Sequence, residues 1–125
     1  LKDVKVWTGG TADAPQLEPL KRPMTIKHLM THTSGLFYDF SGENPELIKL
    51  WRNANLWTGS GLTNFITKLA TLPLKHQPGD AWAYGVNQDV QGAVIGRVTG
   101  KTFGAFLEER RKLMALKIKS WFEVL

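Results

Sequence analysis

The sequence predicts a mainly α fold, on three observations. Apolar residues recur at three- and four-residue spacing through five stretches between Thr25 and Leu116, the pattern of helices with one buried side. Turn and cap residues (Gly35, Pro45, Pro73 and Gly100) fall at the ends of those stretches. Strand character is confined to one short run, "DVKVW" at 3–7. With 125 residues, 42% of them hydrophobic, there is material for one domain with one core.

The elements follow in chain order. Residues 1–23 hold Gly9, Gly10, Pro15, Pro19 and Pro23 with no sustained period, and read as an extended or loop segment. "TIKHLMTHTSGL" at 25–36 places Ile26, Leu29 and Met30 on one side of a helix, with Thr25 as its N-cap and Gly35 as its stop. Residues 37–61, with aromatics among Gly, Asn and Pro, read as a mobile connection, the alternative for "NPELIKLWRNANLW" being a helix with Pro45 in its first turn. "LTNFITKLATLPL" puts Leu62, Phe65, Ile66 and Leu69 on one face and ends at Pro73. "KHQPGDAWAYG" is loop chemistry, after which "VNQDVQGAVIGRVTG" resumes the helical period through Val86, Val90, Val94 and Val98 and closes on Gly100. A last helix begins at Thr102 as its cap.

Composition narrows the function. The formal charge is +5, yet the Lys and Arg are scattered, and the one dense segment, "EERRKLMALKIK" at 108–119, reads as a solvated helix face. Nucleic-acid binding is therefore not expected. No apolar run reaches the ~18 residues of a membrane span, so none is expected. With no cysteine, disulfides, thiol catalysis and Cys-based zinc sites are excluded, and the compartment stays open between cytoplasm and periplasm.

Three motifs invite a chemical reading. His28 and His32, four apart, would share a helix face as in zinc-binding helices, but no Glu follows the first His and no third ligand is evident. Structural histidines, with ring nitrogens capping backbone groups or packed beside Met30, and no metal site are the expectation. "GRVTGKT" at 96–102 has three residues between its glycines where a phosphate loop needs four, and reads as a helix cap followed by a new N-cap. Ser34 sits in Thr-His-Thr-Ser-Gly rather than in a Gly-x-Ser-x-Gly elbow, and is not expected to be a nucleophile.

"MTIKHLMTHTSGL" at 24–36 and "PGDAWAYGVNQDVQGAVIGRVTGKTFGAFLEER" at 78–110, in that order and about fifty residues apart, closely resemble the serine β-lactamase-related family: class C β-lactamases, D-alanyl-D-alanine carboxypeptidases and family VIII carboxylesterases. The resemblance covers most of residues 1–110 and implies an acyl-enzyme serine hydrolase needing no cofactor. It implies that the histidine-threonine-serine-glycine turn is architectural. It also matches Tyr84 of "AYGVNQ" to the family's tyrosine, which works with a Ser-x-x-Lys pair as base and acid. Two positions after Tyr84 stands Val86, where the β-lactamases have asparagine, with Asn87 one step later; this favours the carboxylesterase branch. Trp82, Phe37 and Tyr38 are expected as apolar walls for the substrate, an ester or a β-lactam.

None of the four serines starts a Ser-x-x-Lys: Ser34, Ser41, Ser60 and Ser120 are followed three residues on by Phe37, Asn44, Thr63 and Glu123. The family's downstream Lys-Thr-Gly motif is not in the chain either. The chain, which opens "LKDV" without Met, therefore reads as part of a hydrolase and inactive alone: the helical lobe of the α+β β-lactamase/transpeptidase-like fold without most of its antiparallel sheet. Residues 1–23 are the extended segment, 24–110 the helical lobe, and 111–125 a tail that diverges from the family. Apolar surface facing the sheet in a complete protein would be exposed here, so pairing with a second copy is also expected. The alternative is a non-catalytic helical binding or assembly domain derived from the same fold.

Overall fold

The computed structural model describes residues 1–40, 44–59 and 61–122, with side chains described as far as residue 114. Among them are five helices and one two-stranded sheet. The chain divides into two compact units, Leu1–Gln91 and Gly92–Leu125.

In the first unit, β1 (Val6–Gly10) pairs antiparallel with β2 (Pro15–Glu18), with Val6 opposite Glu18, Trp7 opposite Leu17, and an irregularity between Trp7 and Gly9. The expected strand at 3–7 is thus displaced toward its C-terminus, and β2 was not legible. Its Pro15 stands at the first position of an edge strand, where a missing N–H costs no ladder bond. The other edge of β1 takes residue 74: Trp7 N donates to Leu74 O at 2.9 Å, and Leu74 N to Lys5 O at 2.8 Å.

Helix α1 (Ile26–Met30) is capped as expected. Thr25 Oγ1 accepts from His28 N, and His28 Nδ1 accepts from Thr25 N, both at 3.2 Å, so the histidine takes the place of the usual Glu in a capping box. The expected stop at Gly35 is corrected: the helix ends at Met30, and His32 already has a positive φ of 56°. His28 and His32 therefore do not share a helix face. Gly35 has a different task. At φ 87° it passes so close to the 74–76 segment that an added Cβ would lie 2.3 Å from His76 O.

Asn44 caps α2 (Pro45–Asn53), accepting from Glu46 N and Leu47 N at 3.0 and 3.1 Å, and Pro45 occupies the first turn, so the helical alternative holds there. Trp51 of α2 meets Phe37 at 4.3 Å between ring centroids and donates from Nε1 to Pro73 O at 3.0 Å. Phe65 and Leu69 of α3 (Gly61–Leu69) complete one core with Val6, Leu36, Leu47, Leu74, Val86 and Val90. Each such side chain contributes roughly 1.5–3 kcal/mol through burial.

The boundary between the units falls within α4 (Asn87–Thr99). The expected valine stripe is corrected at Val98, which is 81% exposed. The packing side of α4 in the second unit is made by glycine instead: a Cβ on Gly92 would touch the Phe103 ring at 3.0 Å. Gly100 (φ 68°) closes α4, and Thr102 Oγ1 accepts from Ala105 N at 3.2 Å to start α5 (Phe103–Phe122), so "GRVTGKT" is two caps. Arg111 pairs with Glu108 and Lys101 with Glu109 on the α5 surface. Residues 123–125 of the expected tail lie outside the described residues.

Candidate active site

Two loops of the first unit are laced together by backbone bonds. Lys75 N donates to Gly35 O at 2.8 Å, Gly79 N to Thr33 O at 2.7 Å, and Ala83 N to His32 O at 2.8 Å. The lacing fixes the segment carrying Trp82 and Tyr84 beside the turn after α1. Gly85 presses against Phe37, where a Cβ would fall 2.3 Å from Phe37 Cα. Gln77, almost fully buried, holds the far side: Nε2 donates to Glu18 Oε1 (2.7 Å) and Pro19 O (3.0 Å), while Oε1 accepts from Lys21 N (2.9 Å).

Tyr84 is 49% exposed and central to an aromatic cluster. Its ring stacks on His32 at 5.3 Å, meets Tyr38 at 5.4 Å and faces Trp82 at 6.4 Å. Trp82 is largely exposed and also reaches the His32 ring. Tyr38 continues the cluster to Phe40 and Trp57. Burial pushes the Tyr38 phenol up from its ordinary range, and the Asp89 carboxylate and Tyr84 add to the effect. Tyr38 therefore stays protonated and suits a wall or a hydrogen-bond donor rather than a base.

Beside this cluster lies a pocket of about 310 Å³, lined by Phe37, Tyr38, Trp51, Trp57, Val86 and the Arg52–Asp39 pair. Phe37 and Val86 are fully buried beneath it. Lys68 holds its far rim by donating to Asn55 O and Thr58 O at 2.8 and 2.7 Å. Of the residues read from the sequence, Tyr84, Trp82 and Tyr38 thus meet at the surface, and Phe37 and Val86 form the floor. Asn87 is placed differently. It is fully buried, with Oδ1 2.5 Å from Ser34 Oγ and Nδ2 3.0 Å from His32 Nδ1.

Ser34 is equally buried, and Leu36 N donates to its Oγ at 3.1 Å. A hydroxyl so enclosed cannot reach a substrate. Among the described residues, no three His, Asp or Glu side chains stand close enough to hold a metal. No helix among them is long and apolar enough to cross a membrane. Sequence reasoning missed His32 as a neighbour of Tyr84 and missed the walls given by Trp51, Trp57 and Arg52, because loop lacing and not local period brings them together.

The family model described as Beta-lactamase matches residues 4–111. The chain belongs to that family. Its relatives include the lovastatin esterase of Penicillium rubens, 39% identical over 84% of this chain and 26% of that protein. Esterase EstB of Burkholderia gladioli is 35% identical over 75% of this chain and 25% of its own length. Among solved structures, simvastatin synthase (LovD) from Aspergillus terreus superposes with a TM-score of 0.66 at 30% identity, covering 86% of this chain and 26% of that one. The chain thus spans about a quarter of the length of these relatives. The mainly helical fold aligns with part of the β-lactamase-like fold of LovD, as the sequence predicts.

Proposed function

We propose that this chain is the part of a serine esterase or acyltransferase that supplies its tyrosine base, Tyr84, and the aromatic walls of its substrate site. The observation that carries the reading is Tyr84 itself: a half-exposed phenol whose ring stacks on His32 and meets Tyr38, which lines the aromatic pocket, in a family whose relatives are named esterases and acyltransferases. In this mechanism the Tyr84 phenol oxygen takes the proton of a serine hydroxyl as that hydroxyl's oxygen attacks the acyl carbonyl. The phenol then returns the proton to the departing alkoxide, leaving an acyl-enzyme and an alcohol. Water or a second alcohol reverses the sequence and takes the acyl group.

The nucleophile belongs to a Ser-x-x-Lys segment, which these 125 residues do not contain. Trp82 and Tyr38 would flank the acyl or alcohol part, with Phe37 and Val86 beneath it and Asn87 shaping the floor from below. Val86, where the β-lactamase pattern has an amide, favours esters over β-lactams.

A chimera tests the reading: residues 4–111 replace the matching segment of the Burkholderia gladioli esterase, and hydrolysis of p-nitrophenyl esters is followed, with circular dichroism to check folding. The folded chimera should turn over esters, and the isolated chain should not. A folded chimera without activity, or an isolated chain with turnover abolished by Ser34→Ala, would sink the proposal.

A further inference from the structure

We infer that His32 is a positioning residue for Tyr84, locked in its Nε2–H tautomer by a hydrogen-bond series that begins at the buried Ser34. The inference rests on the reading of Tyr84 as the base only for its catalytic meaning; the series itself is a matter of donors and acceptors.

Leu36 N–H donates to Ser34 Oγ at 3.1 Å. Ser34 is fully buried, so its single hydroxyl proton needs a protein acceptor, and Asn87 Oδ1 lies 2.5 Å away. An amide whose oxygen faces Ser34 must turn its NH₂ toward His32, where Nδ2 is 3.0 Å from Nδ1. Turning the amide over would bring a second donor to Ser34 Oγ and leave the hydroxyl proton without its acceptor. Nδ1 of His32 is therefore the acceptor, and the proton of the neutral ring is on Nε2.

The same ring is held from its backbone. His32 has φ 56°, and its carbonyl accepts from Ala83 N at 2.8 Å, next to Tyr84 in sequence. With Nδ1 pinned by Asn87, the imidazole offers a fixed face to Tyr84 at 5.3 Å and 27°. Asn87 opens α4, so the helix start, the turn after α1 and the Tyr84 ring form one rigid set. Asn87 and Ser34 act through His32 and not on substrate.

The test uses the 125-residue chain with ¹⁵N-labelled histidine. Two-bond proton–nitrogen spectra should show His32 with its proton on Nε2. Asn87→Asp replaces a donor by an obligate acceptor and should move that proton to Nδ1. If Asn87→Asp does not fold, Ser34→Ala reads the same point, because an amide freed from the hydroxyl can present Oδ1 and populate the Nδ1–H form. A wild-type ring protonated on Nδ1, or a tautomer unchanged in the folded variant, overturns the inference. Positioning has its own readout: the order parameter of the Tyr84 ring should fall from about 0.85 to below about 0.6 in Asn87→Leu, which keeps the His32 ring but removes its bond. An unchanged order parameter overturns the positioning role. These results do not depend on turnover, so they stand apart from the fate of Tyr84 as a base.

Discussion

The rings of His32 and Tyr84 stack at 5.3 Å, although their local sequences belong to different loops. What joins them is the bond from Ala83 N to His32 O, one residue before the tyrosine. The turn after α1 and the loop carrying Tyr84 are therefore tied together within the first unit, and the catalytic reading of the loop depends on the rigidity of the turn.

Tyr84→Phe separates chemistry from packing. In the folded chimera it keeps the ring on His32 and Tyr38 and should change stability by no more than about 1 kcal/mol. The loss should fall on kcat by about 10²–10⁴-fold with KM nearly unchanged, since a positioned base acts in the transition state. Steady-state ester hydrolysis measures this, and near-normal kcat on every ester tried would dismiss Tyr84 as the base.

Gly35→Ala should be far more damaging than Gly100→Ala. Both glycines have positive φ, so each alanine meets roughly 1–2 kcal/mol of left-handed strain. At Gly100 the space for a Cβ is open, whereas at Gly35 it is filled by His76 O. Moving that backbone adds about 1–3 kcal/mol and loosens the lacing at Lys75 and Gly79. Urea unfolding of the two variants gives the comparison; equal midpoints would contradict the close approach.

Much of the fold was legible because its signals are local. Thr25 and Thr102 mark helix starts by accepting from nearby N–H groups and Pro45 by its fixed φ and missing N–H, and the structure begins a helix at each. The end of α1 was misread because Gly35 looked like a stop, while the turn had already been taken by His32 in a conformation uncommon for a non-glycine residue. β2 was missed since a four-residue edge strand opening on proline carries almost no pattern. The motif singled out Tyr84, but burial of Asn87 beside Ser34 depends on two segments meeting. No periodicity encodes that.

His28 offers a test of capping independent of the site. Its Nδ1 closes the box by accepting from Thr25 N, a role a carboxylate performs equally well. His28→Glu should leave stability within about 0.5 kcal/mol of the parent, and His28→Ala should cost about 0.5–1 kcal/mol. Thermal unfolding in zinc-free and zinc-containing buffer should give the same order. A zinc-dependent rise in Tm that vanishes in His28→Ala would instead mark the histidine as a ligand.

Stability should fall in acid partly through Asp80. The Arg22 guanidinium bonded to it at 2.5 Å, and also to Pro78 O at 2.8 Å, holds the Asp80 carboxyl below its ordinary value of 3.8. Glu18 is depressed in the same way by the amide of Gln77 and the nearby Lys21. A carboxyl lowered in the folded state binds fewer protons there than in the unfolded chain. Its contribution is thus fully present above the unfolded pKa and is lost as pH falls through the folded one. Both pairs tie the 18–22 segment to the 77–80 loop behind Tyr84, so acid should loosen that tie first. Asp80→Asn, compared with the parent by urea unfolding across the range below pH 5, should flatten part of the decline while leaving the plateau near neutrality only slightly lower. A decline of the same steepness in Asp80→Asn would show that the acid sensitivity comes from elsewhere, and that the Arg22 bond does not distinguish the two charge states of Asp80.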